Sequence, residues 1–221
     1  MPNYVAINLN VTCKNAEQLN TFLEAIQQDP VPEGHERAVL CFNRIIPMPE
    51  CLRDTVEGGI TGVGYDAWYG DPSSVRSYLW VKEAGVTTRE ELQAFLDKLS
   101  PDYRHQADQA KAAEDATGAR SWYHWRLNHW NTKWNAVGPR ITDKSDTSVI
   151  IKFDAADSVP IPIFSALAVR FPDLEFKGEF LEECLNFQGT FEKTPDGVSF
   201  KIEEVEFDFN EVETSILPSD E

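Results

Sequence analysis

The chain has 221 residues, with 37 Asp and Glu against 20 Lys and Arg, for a formal net charge of −17. That balance disfavours free nucleic acid and anionic membrane surfaces, both of which recruit cationic side chains, and it favours a basic partner; the same charge would also simply keep a small protein dispersed. A hydrophobic share of 42% supports a packed core rather than global disorder. No apolar run approaches the roughly 20 residues that cross a bilayer, and the opening residues lack a secretory leader pattern, so the expected compartment is the cytoplasm.

Residues Asn3 to Thr12 alternate, with Val5, Ile7, Leu9 and Val11 on one side, which predicts a half-buried strand. Asn15 and Gln18 stand in capping-box positions before a helix carrying Leu19, Phe22, Leu23 and Ile26, and Pro30 and Pro32 end it. Arg37 to Ile46 is expected to be a second strand, stopped by Pro47 and Pro49, so the opening is β-α-β. The glycine-rich run Glu57 to Gly64 has neither a following Gly-Lys-Ser/Thr nor a G-x-G-x-x-G pattern, and is expected to be a surface loop rather than a phosphate cradle.

Thr88 and Glu91 form a capping box for an amphipathic helix through Leu92, Phe95, Leu96 and Leu99. Pro101 opens an Ala-rich helix that stops near Gly118. Next comes an aromatic run, Ser121 to Ala136, with Tyr123, Leu127 and Trp130 in one stripe of a helix and Trp122 and Trp125 to another side. Asn131 suits the left-handed cap of that helix, and the chain beyond it is expected to be extended.

Ser148 to Phe153 predicts a strand and Pro160 to Phe171 a helix with Ile163, Phe164, Leu167, Ala168 and Phe171 inward. Two further strands carry Leu174, Phe176 and Phe180, then Leu185, Phe187 and Phe191. Thr194-Pro195-Asp196-Gly197 is a turn, because proline presets φ and glycine accepts the strained position. Val198, Phe200 and Ile202 form a third strand, and alternation resumes one register over at Val205, Phe207 and Phe209, which suggests a break near Glu203 and Glu204. The fold class expected is α+β: a ferredoxin-like antiparallel sheet with helices on one face and a helical insert. Residues 1–48 would form the first β-α-β half, 49–120 the insert, 121–213 the Trp-rich helix with the second half of the sheet, and 214–221 a loose acidic tail.

The segment Trp122-Tyr123-x-Trp125-x4-Trp130-Asn131-Thr132-Lys133-Trp134-Asn135-Ala136 resembles the YubB-type family of ferredoxin-like proteins carried by plasmids and temperate phages. Phe42 to Pro49, Phe171-Pro172-x-Leu174-x-Phe176 and Asn186-Phe187-x-Gly189 are similar to further elements of that family, with Asn131 standing where it has glycine. The resemblance implies the ferredoxin-like fold and a mobile-element origin, often among genes that help an invading element survive. It implies no catalytic residue.

The residues themselves nominate no catalytic group, cofactor or metal. Cys13, Cys41, Cys51 and Cys184 contain no CxxC pair. Among His35, His105, His124 and His129, the last two stand about 140° apart on a helix, too far round for a shared ligand position. Two binding surfaces remain. From Leu174 to Glu221 there are fourteen acidic residues against Lys177, Lys193 and Lys201, a net of −11, whereas Ser121 to Asp173 nets +1. Glu203, Glu204, Glu206, Asp208, Glu211 and Glu213 cluster at the end of this region, where a carboxylate row would suit the basic groove of a host protein or nucleoprotein complex; equally, it would protect an edge strand from aggregation. The alternative surface is Trp122, Trp125, Arg126 and Lys133, on which bases would stack. Direct nucleic-acid binding ranks second because only two cations flank the rings; packing of the helix onto the sheet, with Trp134 closing the core, ranks above it. A third alternative is an enzyme of unknown chemistry. Oligomeric state is not legible.

Overall fold

The computed structural model describes residues 3–30, 36–182 and 187–204, with the side chain of Glu204 outside that description. The chain divides into two compact units: Met1–Ile46 with Trp130–Glu221, and Pro47–His129.

The first unit is a six-stranded antiparallel sheet in the order β2-β3-β1-β4-β5-β6. Strand β1 (Tyr4–Thr12) is central, with β3 (Ser148–Ala156) on one side and β4 (Glu175–Glu182) on the other. Helix α1 (Ala16–Ile26) follows β1 and helix α9 (Ile161–Arg170) follows β3. The order β2-β3-β1-β4 with two crossing helices is the ferredoxin-like arrangement, here extended by β5 (Phe187–Thr194) and β6 (Gly197–Glu204). Val5, Ile7, Leu9 and Val11 of β1 all point to the helix-covered face and are 2% exposed or less. Burial of each contributes ~1.5–3 kcal/mol, so this strand anchors the unit. Phe22 of α1 meets Phe171 and Phe176, and Phe164 of α9 stacks on Phe191 at 4.2 Å, so both helices cover the same side.

Two expectations for this unit need correction. Arg37 to Ile46 is not a strand. Its apolar residues Leu40, Cys41, Phe42 and Ile45 are buried through a short helix, α2 (Phe42–Ile45), closed by the Ile46 N–H on the Phe42 carbonyl at 2.8 Å. A short buried run has the same apolar content in either conformation, and here Asn135 Oδ1 takes the Phe42 N–H at 2.7 Å in place of a ladder bond. The second strand of the ferredoxin-like unit is instead β2 (Val137–Lys144), beyond the insert, so the opening is β-α rather than β-α-β. The ring that closes the core is Trp130, 1% exposed and donating Nε1–H to the Ile46 carbonyl at 2.9 Å; Trp134 is only half-buried, beside Tyr4.

The second unit is helical. A 3₁₀ turn (Glu50–Leu52) precedes α3 (Gly59–Trp68), α4 (Pro72–Arg76), α5 (Leu79–Glu83), α6 (Arg89–Leu99), α7 (Asp102–Thr117) and α8 (Trp122–Trp130), whose last residue joins the sheet unit. The glycine-rich run therefore does not form a loop: most of it is α3. One of its glycines serves helix contact, because a Cβ on Gly64 would stand 2.2 Å from the Tyr103 carbonyl oxygen, whereas one on Gly58, Gly59 or Gly62 would meet nothing within 4 Å. Small residues on both sides, Thr61, Gly64 and Ala67 against Ala107, Ala110 and Ala113 of α7, are buried at this approach. Val75, Val81, Leu92 and Leu96 join Ala67 in the unit's core. The Thr88–Glu91 capping box forms as expected, and α7 ends at Gly118 in the left-handed region, φ 76°.

Asn131 takes φ 60° at the end of α8, where the sequence places a left-handed cap, and its side chain donates to the Val159 carbonyl at 2.9 Å. The Thr194–Gly197 turn joins β5 and β6 in continuous register from Thr194↔Gly197 to Phe187↔Glu204. The expected strand at 205–209, the tail 214–221, and residues Leu185, Asn186, Cys184 and His35 lie outside the described residues.

Candidate functional site

Helices cover one side of the sheet, while the other side presents polar side chains. Its cross-strand rows follow from the register. One runs Arg140, Lys152, Asn8, Glu179, Thr190, Lys201; the next runs Ile150, Asn10, Lys177, Glu192, Ser199; a third runs Asp154, Ala6, Leu181, Gln188, Glu203. Two adjoining shallow depressions lie on this face, sharing Glu179, Thr190 and Lys201. Asn8 Nδ2 donates to Glu179 Oε1 at 2.6 Å, and Lys177 stands opposite Glu192. The described part of the face is thus mixed in charge.

Of the six carboxylates nominated for partner binding, Glu203 lies at the exposed end of β6 and pairs with Lys201. Glu204 is the last residue of β6, opposite Phe187. Glu206, Asp208, Glu211 and Glu213 lie outside the described residues. Of the three lysines of the region, two are engaged locally and the third is placed by strand register. Lys201 pairs with Glu203, Lys177 opposes Glu192, and Lys193 Nζ donates to the carbonyls of Phe171 at 3.1 Å, Pro172 and Leu174 at 2.6 Å. Lys193 therefore serves the C-terminal end of α9, where the helix dipole favours a cation.

The Trp-rich residues occupy separate environments. Trp125 is buried, 5% exposed, with its ring stacked on His129 at 4.1 Å, which leaves little of it for a base. Trp122 is half-buried beneath the Arg126 guanidinium, 4.9 Å from the ring centre. Lys133 pairs with Asp157 at 2.8 Å and lies over the Trp134 ring. Within the helical unit Trp122 is thus paired with Arg126, and within the sheet unit Lys133 with Asp157 and Trp134.

The helical unit holds a polar cluster that sequence reasoning did not single out. Ser121, fully buried, precedes α8 and donates to Glu57 Oε2 at 2.5 Å. The same carboxylate oxygen stands 3.1 Å from His124 Nδ1, and Arg120 Nε donates to His124 Nε2 at 3.1 Å. These contacts fit the neutral ring protonated on Nδ1. Burial lowers the His124 pKa from its ordinary value, Glu57 opposes that shift, and Arg120 adds to it. The signal in the sequence was Ser121 three residues ahead of His124 at a helix start. Arg120 also covers the Tyr65 ring, whose hydroxyl donates to Glu114; burial first and this bond second push the Tyr65 pKa up to about 12. The cluster ties residues 55–57 to the start of α8, because Thr55 Oγ1 also takes the Trp122 N–H at 2.9 Å. The histidines bring no metal set together: among the described residues no three His, Cys, Asp or Glu side chains converge as ligands. No helix among them is long and apolar enough to cross a membrane.

Residues 129–216 match the sequence model of a family described as the ferredoxin-like domain in Api92-like protein. The crystal structure of protein api92 from Yersinia pseudotuberculosis aligns with a TM-score of 0.46 at 9% identity, over 94% of this chain and 100% of that one. No curated protein matches the chain in sequence. The matched span takes in β2 to β6 and α9, all the strands of the sheet except β1. The sheet unit thus carries, over residues 129–216, a ferredoxin-like domain similar to that of Api92-like proteins.

Proposed function

We propose that this protein acts by binding rather than catalysis, as a mobile-element accessory protein that inhibits a nucleic-acid-acting host defence complex through an acidic surface. The observation that carries the reading is the way β6 ends: this edge strand leads, after Lys201, into a stretch with Glu203, Glu204, Glu206, Asp208, Glu211, Glu213, Asp220 and Glu221 and no Lys or Arg. Lys193 is committed to backbone carbonyls and Lys201 to Glu203, and no Lys or Arg follows in the sequence to offset the later carboxylates. Carboxylates alternating along extended chain repeat about every 6.6–7 Å, broadly like the phosphates of one DNA strand, and would enter a groove built for a polyanion. The resemblance of Trp122–Ala136 to the YubB-type family of plasmids and phages supports the mobile-element origin, and with it a cytoplasmic site of action.

The test is affinity capture from host lysate with mass spectrometry, comparing the natural chain with the triple variant Glu204→Lys, Glu206→Lys, Asp208→Lys. The natural chain should retain a basic nucleic-acid-handling complex, release it as salt rises, and lose it to competing DNA or RNA. The triple variant should not retain it. Equal retention by both proteins would remove the acidic surface from the account.

A further inference from the structure

The two edges of the sheet differ in how they resist pairing with another strand. Edge strand β2 carries Pro139, has Gly138 at φ 57°, and shifts register against β3 twice, between Val137 and Arg140 and between Ile141 and Asp143. Proline, a left-handed residue and bulges are backbone devices that keep an edge from acting as a template, alongside charged side chains. Among the described residues, edge strand β6 shows none of these three beyond its opening turn residue, Gly197, and relies on the charges of Lys201, Glu203 and Glu204. It pairs with β5 without a register shift along its whole length, contains no proline, and leaves Ile202 61% exposed.

The side chains of β6 are also complementary to themselves. When two copies of an antiparallel edge pair about a two-fold axis, each residue opposes its mirror position across the central residue. Centring on Ile202 sets the exposed isoleucine against its own copy, and sets Lys201 against Glu203 twice. Centring on Lys201 opposes two lysines, and centring on Glu203 opposes two glutamates. Centring on Phe200 pairs no opposite charges. Directly opposed charges favour or disfavour a strand pair according to sign, so one register stands out.

We propose that β6 is a homodimerisation edge, joining two copies of this chain in an antiparallel pair centred on Ile202. Each Lys201 then exchanges its neighbour Glu203 for the Glu203 of the other copy, and the outward backbone groups of Phe200 to Glu204, which no other strand takes among the described residues, are satisfied together. The pair uses Glu203 and sets Glu204 opposite Phe200, so it adjoins the acidic surface, whose own test substitutes Glu204, Glu206 and Asp208.

Sedimentation equilibrium of the full chain tests it. The natural chain should sediment at twice the monomer mass at concentrations of tens of micromolar. Lys201→Glu, which turns both opposed pairs into like charges, should raise the dimer dissociation constant by about tenfold or more. The double variant Lys201→Glu, Glu203→Lys should return it toward the natural value, because the opposed pair is restored with its signs exchanged. Ile202→Cys, in a background with Cys51 and Cys184 replaced by Ser, should form an interchain disulfide under mild oxidation, since the two cysteines would meet on the axis. A natural chain that stays monomeric throughout, or a dimer indifferent to both charge variants, overturns the proposal.

Discussion

Gly178 and Phe191 face each other across β4 and β5, and the Phe191 ring fills the space above the glycine where a side chain would stand. A Cβ on Gly178 would lie 2.4 Å from that ring and 2.2 Å from the Asn8 carbonyl oxygen. Gly189 and Phe180 repeat the relationship with the strands exchanged, so each strand supplies one glycine and one covering ring. The Phe191 ring is held from its other side by Phe164 of α9. Gly178→Ala must displace either the ring or the backbone of the central strand, and is expected to cost about 1–3 kcal/mol. Urea unfolding followed by fluorescence would measure it; a loss below about half a kcal/mol would mean that the ring is free to move aside.

Trp130 contributes through two separable properties, its volume and its N–H. The ring packs edge-on against Phe42, 5.9 Å between centres, and the N–H reaches the Ile46 carbonyl. Trp130→Ala is expected to destabilise the sheet unit by about 3–5 kcal/mol through the cavity it leaves. Trp130→Phe keeps most of the packing, loses the hydrogen bond, and should cost about 1–3 kcal/mol because the Ile46 carbonyl loses its donor. Equal losses in denaturant titrations of the two variants would show that volume is not the main term.

His124 makes the helical unit sensitive to acid. Its pKa is lowered in the folded chain, chiefly by burial, so the folded state takes up this proton later than the unfolded state does. Such a group contributes stability that is present above the ordinary imidazole value, about 6.5, and lost as pH falls through the depressed folded value. A proton on Nε2 would also remove the acceptor of the Arg120 N–H. The midpoint of thermal unfolding should therefore drop as the pH is taken below about 6.5, and His124→Gln should flatten that part of the curve. A natural chain and variant with parallel curves would place the sensitivity elsewhere.

Much of the sheet unit was legible because its elements report themselves locally. The period-two alternation of β1 and the helical spacing of α9 survive in the structure, as do Asn131 at φ 60° and the Thr194–Gly197 turn. What escaped was information carried by distant contacts. The apolar content of Leu40 to Ile45 does not reveal that Asn135, far along the chain, will take the Phe42 N–H and hold a helical turn there. Glycines at 62 and 64 resemble a loop until the carbonyl of Tyr103 is brought against one of them. Strand β2 was expected only as extended chain, because proline, glycine and two bulges remove its alternation. At the candidate site, the sequence located the acidic region by charge count. It did not show that Lys193 would be engaged by three carbonyls, or that Glu57 would meet Ser121 and His124, since each depends on tertiary approach.

The position of the helical insert bears on how the molecule is made. Central strand β1 pairs with β3 and β4, and between β1 and both partners lies the whole of Pro47–His129. On the ribosome, at roughly 5–20 residues per second, β1 emerges on the order of ten seconds before either neighbour exists. The insert is contiguous in the chain, so its own contacts do not have to wait for β3 or β4 to be synthesised, whereas those of the sheet do. During the wait, the alternating apolar strand Tyr4–Thr12 is the nascent chain's exposed adhesive surface, and its early shelter is α1, the element synthesised directly after it.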